Sequence, residues 1–125
     1  MIDREEKVRI YFTAWLNKDA HAFQHILAEN ITYSECFGPE YHGINQVNTW
    51  FEDWNRCGTV RKWDIKQFVH QNNTTVVEWY FECFYDSSLA GFDGVSLIEF
   101  DENGKISSIK EFQSKAEHHY PYGIL

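Results

Sequence analysis

Carboxylates set among bulky apolar residues are the side chains of this chain best placed to do chemistry. They recur in its strand-like runs: Ile31–Phe37 (ITYSECF), Thr75–Asp86 (TVVEWYFECFYD), Asp93–Asp101 (DGVSLIEFD) and Lys105–Gln113 (KISSIKEFQ). A carboxyl drawn into an apolar cavity has its pKa raised by desolvation, and a second carboxyl nearby raises it further. Tuned towards neutrality, it can pass a proton to or from a carbon next to a carbonyl, accelerating reaction roughly 10²–10⁴-fold. The plainer alternative is a strand glutamate satisfied by a lysine, an arginine or a hydroxyl. Other reactive types offer less. His42 precedes Gly43 and reads as a turn histidine bonded to backbone before it reads as a proton carrier. His118-His119 has no further ligands at metal spacing, so no metal site is expected; a C-terminal tail packed over a neighbour or a pocket mouth is. Cys83 shares a strand face with Trp79 and Phe81, with no basic neighbour in sequence, and reads as a small hydrophobe. No phosphate loop or dinucleotide fingerprint is present, and no cofactor is expected.

The elements that must position these groups follow from periodicity. Asp3 and Glu6 resemble a capping box, and Val8, Tyr11, Phe12, Trp15 and Leu16 form one helical stripe. Asp19 can cap a second, shorter helix with Ala22, Phe23, Ile26 and Leu27 inward. Gly38-Pro39 marks a turn after ITYSECF. Ile44, Val47, Trp50, Phe51 and Trp54 mark a third helix, with Gly58 as its stop. Val60–His70 alternates like a strand with one wet face, and Asn72-Asn73 turns the chain into the three final strands. Gly91 and Gly94 predict a bulge or bend in the sheet. Helices first and a meandering sheet last is the α+β class.

Parity along Thr75–Asp86 puts Val77, Trp79, Phe81, Cys83 and Tyr85 on one face. Val76, Glu78, Tyr80, Glu82 and Phe84 fall on the other. Both faces carry aromatics, so the second is expected to meet another subunit, with Phe84, Tyr80 and Val76 at a homodimer interface. The 125 residues fit one domain, 1–125, and aromatics make up 18% of them, enough for a core and a pocket. A net charge of −8 and scattered basic residues argue against nucleic acid or an anionic membrane as partner. No apolar run approaches a membrane span, the charged N-terminus is no signal peptide, and three widely spaced cysteines fit reduced thiols, so a cytoplasmic protein is expected.

Four ordered segments carry a resemblance: Ala14–Asp19 (AWLNKD), Leu27–Tyr33 (LAENITY), Tyr41–Ile44 (YHGI) and Phe100–Ile106 (FDENGKI). Together the chain resembles the nuclear transport factor 2-like superfamily, in its SnoaL-like and ketosteroid isomerase-like branch. The resemblance implies a cone-shaped, strongly curved, mostly antiparallel sheet closed by three helices from the N-terminal half, a cystatin-like α+β roll, often dimeric. It also implies site residues. The general base of ketosteroid isomerases falls at Glu35, their oxyanion tyrosine at Phe12, which lacks a hydroxyl, and their second oxyanion donor at Ser96. The acid/base aspartate of SnoaL-type cyclases falls at Glu111. The Asp-Arg-Asp set of limonene epoxide hydrolases finds no match, because Arg4, Arg9, Arg56 and Arg61 avoid the expected pocket strands.

The expected site is therefore a cone lined by Phe12, Trp15, Tyr33, Trp50, Trp54, Trp79, Phe81, Phe92 and Ser96, with Glu35 as base and Glu111 as second acid/base. Its occupant would be a small, apolar, cyclic or aromatic ligand. Cofactor-free isomerisation, cyclisation or dehydration is one reading of it. A non-catalytic ligand carrier or dimerisation module is the alternative.

Overall fold

The structure is a computed structural model in which residues 3–124 are described. Helix α1 (Arg4–Asn17) begins where the Asp3 side chain accepts from the Glu6 amide at 2.8 Å, the predicted cap. It ends at Lys18, whose left-handed backbone lets its N–H return to the last turn. Val8, Tyr11, Phe12 and Trp15 face the core as read, but Leu16 is 38% exposed and Ala14 is buried in its place. Successive residues turn by about 100°, so the last position of the stripe rotates out of the contact. Helix α2 (Phe23–Ile26) is a single turn. Asp19 does not cap it: its carboxylate accepts from the His21 amide, a local turn ahead of the helix. Helix α3 (Ile44–Cys57) buries Val47 and Phe51, leaves Trp50 and Trp54 half-buried, and passes directly into the next strand at Gly58.

Six strands follow the predicted order around these helices: β1 (Leu27–Ser34), β2 (Glu40–His42), β3 (Gly58–Gln71), β4 (Thr74–Tyr85), β5 (Ser88–Phe100) and β6 (Ile106–Ser114). They form one curved, open sheet in the order β2-β1-β6-β5-β4-β3, antiparallel at every pairing except β1 with β6. The α+β class and the curved-sheet architecture are as expected. No helix is long and apolar enough to cross a membrane.

Some boundaries move. β1 begins four residues before Ile31 and stops short of Glu35, where the amide of Glu35 bonds to the Pro39 carbonyl at 2.9 Å and closes the β1–β2 turn. β5 begins at Ser88, not Asp93, after a two-residue turn in which Asp86 and Ser87 both have positive φ. Pairing of β4 with β5 runs unbroken from Thr74↔Glu99 to Tyr85↔Ser88, so Gly91 and Gly94 make no bulge. They are glycines because side chains lie over them: the Tyr80 hydroxyl over Gly91, the Trp79 indole over Gly94.

The concave face of the sheet and the three helices share one core, from Val8 and Tyr11 through Phe23, Ile31 and Val77 to Ile98, Ile106 and Ile109. This core fills one end of the cone. The other end stays open.

Candidate active site

Between α1, α3, the β1–β2 turn and the concave face of β3–β6 lies a cavity of about 690 Å³. Trp15 of α1 and Trp50 and Trp54 of α3 supply one wall, with Trp15 packing edge-on to Trp54 at 86° and Trp50 stacking on Tyr41 at 4.7 Å. Trp63, Trp79, Phe81 and Phe92 supply the floor from the sheet, joined by edge-to-face and tilted contacts. Aromatic pairs hold such angles because ring edges are positive and faces negative.

Trp79 shows how local sequence builds the floor. Its cross-strand partner is Gly94, which has no Cβ, so the indole lies down over the neighbouring strand. Its N–H then reaches the Ser96 hydroxyl at 3.0 Å, a buried bond between two groups that would otherwise be stranded.

Two carboxyls lie inside this cavity, apart from Asp53 at its mouth. Glu111 lies opposite Ser96 in the β5–β6 register and therefore points to the concave side. The Tyr33 hydroxyl donates to its Oε2 at 2.5 Å. Burial pushes the Glu111 carboxyl up to about 8; the Tyr33 bond opposes the shift and the charge of Glu35 adds to it. Glu35 sits in the β1–β2 turn and accepts from the Tyr41 hydroxyl at 2.7 Å. Burial raises its pKa too, again against its tyrosine bond. The effect returns on the donor: Tyr33 is raised well above the ordinary phenol range, first by burial and then by Glu111. At neutral pH Glu111 thus stands as a protonated acid with a proton to give, and its ionised form is within reach as a base.

Of the residues singled out from sequence, Glu35, Glu111, Trp15, Tyr33, Trp50, Trp54, Trp79, Phe81 and Phe92 line the cavity. Phe12 and Ser96 do not. Phe12 is 3% exposed and stacked face to face on Trp63 at 3.9 Å, behind the wall. Ser96 is 1% exposed, beneath the indole it holds. Both point inward, but inward there means core.

Trp63, Tyr41 and Tyr85 line the cavity without having been singled out, as do Asp53 and Arg56 at its mouth, paired at 2.9 Å. Trp63 was legible as the apolar position of an alternating strand, and Tyr41 as the neighbour of His42. His42 itself is exposed, its ring against Glu40 at 2.9 Å. Cys36, Cys57 and Cys83 are free thiols on the lining, and burial raises the Cys83 thiol pKa. The tail beyond β6 does not cover the mouth: His118, His119, Tyr120 and Tyr122 are exposed, and none lines the cavity. Among the described residues no group of three or more His, Cys, Asp or Glu is placed to hold a metal ion.

A model of the SnoaL-like domain matches residues 8–109. No curated protein matches the chain. Solved structures share the fold at low identity. A protein of ketosteroid isomerase-like fold from Catenulispora acidiphila, crystallised with trimethylamine, is 16% identical with a TM-score of 0.77 over 89% of this chain and 86% of that one. A proposed polyketide cyclase from Pseudomonas putida is 19% identical with a TM-score of 0.76 over 91% and 93%. An LEH-like epoxide hydrolase from M. tuberculosis is 14% identical with a TM-score of 0.76 over 87% and 80%.

Proposed function

This chain belongs to the SnoaL-like domain family, within the nuclear transport factor 2-like superfamily, and we propose that it performs cofactor-free acid–base chemistry on a small, largely apolar ligand. Isomerisation, cyclisation and dehydration all need only a carboxyl that gives and takes one proton beside a polarised bond. The observation that carries the reading is Glu111, a carboxyl raised to about 8 in an aromatic cavity with a tyrosine hydroxyl 2.5 Å away. Glu111 is the principal acid/base, Tyr33 its hydrogen-bond partner, and Glu35 the second carboxyl that tunes it. Exchange of α-protons on a panel of small cyclic ketones in D₂O, followed by proton NMR, tests this. Glu111→Gln is expected to slow the exchange roughly 10²–10⁴-fold. Exchange at an unchanged rate in that variant would remove Glu111 from the mechanism.

One feature favours binding without turnover as the second reading. The Tyr33 and Tyr41 hydroxyls already donate to the two carboxyls, and Ser96 is buried beneath Trp79 away from the cavity lining, so none of the three is placed to donate to a developing oxyanion. In that case Glu111→Gln leaves the affinity for an uncharged ligand unchanged.

We also propose that the convex face of the sheet meets a second copy of the chain, in a cytoplasmic, reducing setting that suits three free thiols. Phe84, Tyr80 and Val76 lie on that face. The register continues the apolar strip from Val69 through Val76 to Leu97, and Phe112 is exposed nearby. Leu97→Glu is expected to turn a dimer into a monomer in sedimentation velocity. An unaltered sedimentation coefficient would place the interface elsewhere.

A further inference from the structure

We infer that the occupant of the cavity is a small organic ammonium, its cationic end held between the Glu111 and Glu35 carboxyls and the surrounding aromatic rings. The inference deepens the proposed function and rests on that cavity taking up a small molecule.

Charge is the first argument. The charged side chains on the lining are Glu35, Asp53, Glu111 and Arg56. Asp53 and Arg56 neutralise each other at the exposed mouth. That leaves two inner carboxyls and no protein cation. Neither joins an ion pair with any described residue; each accepts from a tyrosine hydroxyl instead. Ionised together, the two carboxyls would be costly without a counter-charge, so Glu111 keeps its proton; a cationic ligand can bring the missing charge and release that proton.

The walls are the second argument. Trp15, Trp50 and Trp54 meet at steep angles, so the cavity is a corner of indoles and not a flat plate. Indole faces attract cations more strongly than the other aromatic rings do, and the attraction grows where water is excluded. A neutral hydrocarbon gains nothing from the carboxyls and must strip their water. An anion is repelled by the ring faces and by whichever carboxyl is ionised.

Proton linkage follows. The titratable groups around Glu111 are Tyr33 of β1, Glu35 and Cys36 of the β1–β2 turn, Tyr41 of β2, Tyr11 of α1, and Cys83 and Tyr85 of β4; α3 contributes Cys57 and the mutually paired Asp53 and Arg56. None supplies a positive charge close to it. A bound cation favours ionised Glu111, so binding expels a proton and tightens as pH rises towards about 8.

Choline and its neutral carbon isostere, 3,3-dimethylbutan-1-ol, are the probes, titrated into the whole protein by NMR. On the alkaline side of the Glu111 transition, choline is expected to bind roughly tenfold more tightly than the alcohol. The gap should narrow towards pH 6, and the double variant Glu35→Gln, Glu111→Gln should abolish it by weakening choline. An alcohol that binds as tightly as choline, or more so, overturns the ammonium but leaves a small-molecule cavity standing. Failure of both probes at millimolar concentration overturns the ammonium and the cavity reading together.

Discussion

Glu111→Gln is expected to stabilise the protein on the alkaline side of neutrality, with a gain that grows from about pH 5 to about pH 8. The sign follows from the two proton affinities. In the unfolded chain the carboxyl ionises near its ordinary value of about 4.3. In the folded protein burial holds it up to about 8. Between those values the unfolded state has released a proton that the native state keeps, so wild-type stability falls as pH rises through the window and levels off above it. The ceiling is about 1.4 kcal/mol per pH unit. Water entering through the open mouth reduces it, so a gain of about 2–3 kcal/mol is the reasonable expectation. Glutamine keeps the shape and accepts from Tyr33 but has no proton to lose. Urea denaturation at several pH values reads the difference directly. Parallel stability profiles for wild type and variant would mean that Glu111 titrates as an ordinary surface carboxyl. Tyr33→Phe supplies the opposite arm. It deletes the one bond that lowers the Glu111 pKa, so the carboxyl should titrate above about 8 in carbon-13 NMR.

A residue that destabilises the native state when ionised is kept by function or by accident, and the geometry bears on which. Glu111 occupies an inward position of a central strand, opposite Ser96, where an apolar side chain would pack without penalty. Its tyrosine partner is itself fully buried. A bond between two costly groups, set on rigid elements, is how a protein holds a proton in place.

Much of this was legible in the chain. Period-2 alternation in β4 separates Val77, Trp79 and Cys83 from Val76, Tyr80 and Phe84, and the two sets lie on opposite faces of the sheet. What period cannot do is divide the inward side into core and cavity. Phe12 and Trp15 lie on the same helical face, yet one stacks behind Trp63 while the other meets open space. That distinction depends on how far each helix reaches along the cone, a tertiary property. Tyr11 illustrates the same limit: beside Phe12 in sequence, it is the residue of α1 whose ring lies against Tyr33. Glu35 was placed on a strand that ends one residue earlier, because Gly38-Pro39 fixes the turn but not how many residues it consumes. The start of β5 was missed for a related reason. Ser87, Ser88, Gly91 and Gly94 have loop composition, and cross-strand pairing overrode it.

Gly94 therefore carries more weight than its composition implies, and Gly94→Ala is expected to cost roughly 3 kcal/mol, at the upper end for overpacking. A Cβ there would meet the Trp79 ring and stand 2.5 Å from the Phe112 carbonyl oxygen. The oxygen belongs to the neighbouring strand and cannot swing aside without opening the sheet. The ring cannot retreat either, because its N–H is held by Ser96 and its edges by Trp63 and Phe92. Gly91→Ala is the control. Its added methyl meets the Tyr80 hydroxyl, the far end of a side chain on the convex face, which can rotate away at the loss of its bond to Glu82. That change should cost about 1 kcal/mol or less. The two variants differ only in what stands over the glycine, so the gap between their melting curves measures how firmly the cavity floor is held. Equal losses would mean that Trp79 adapts freely, and a floor that adapts freely could not hold Glu111 and a ligand in fixed relation.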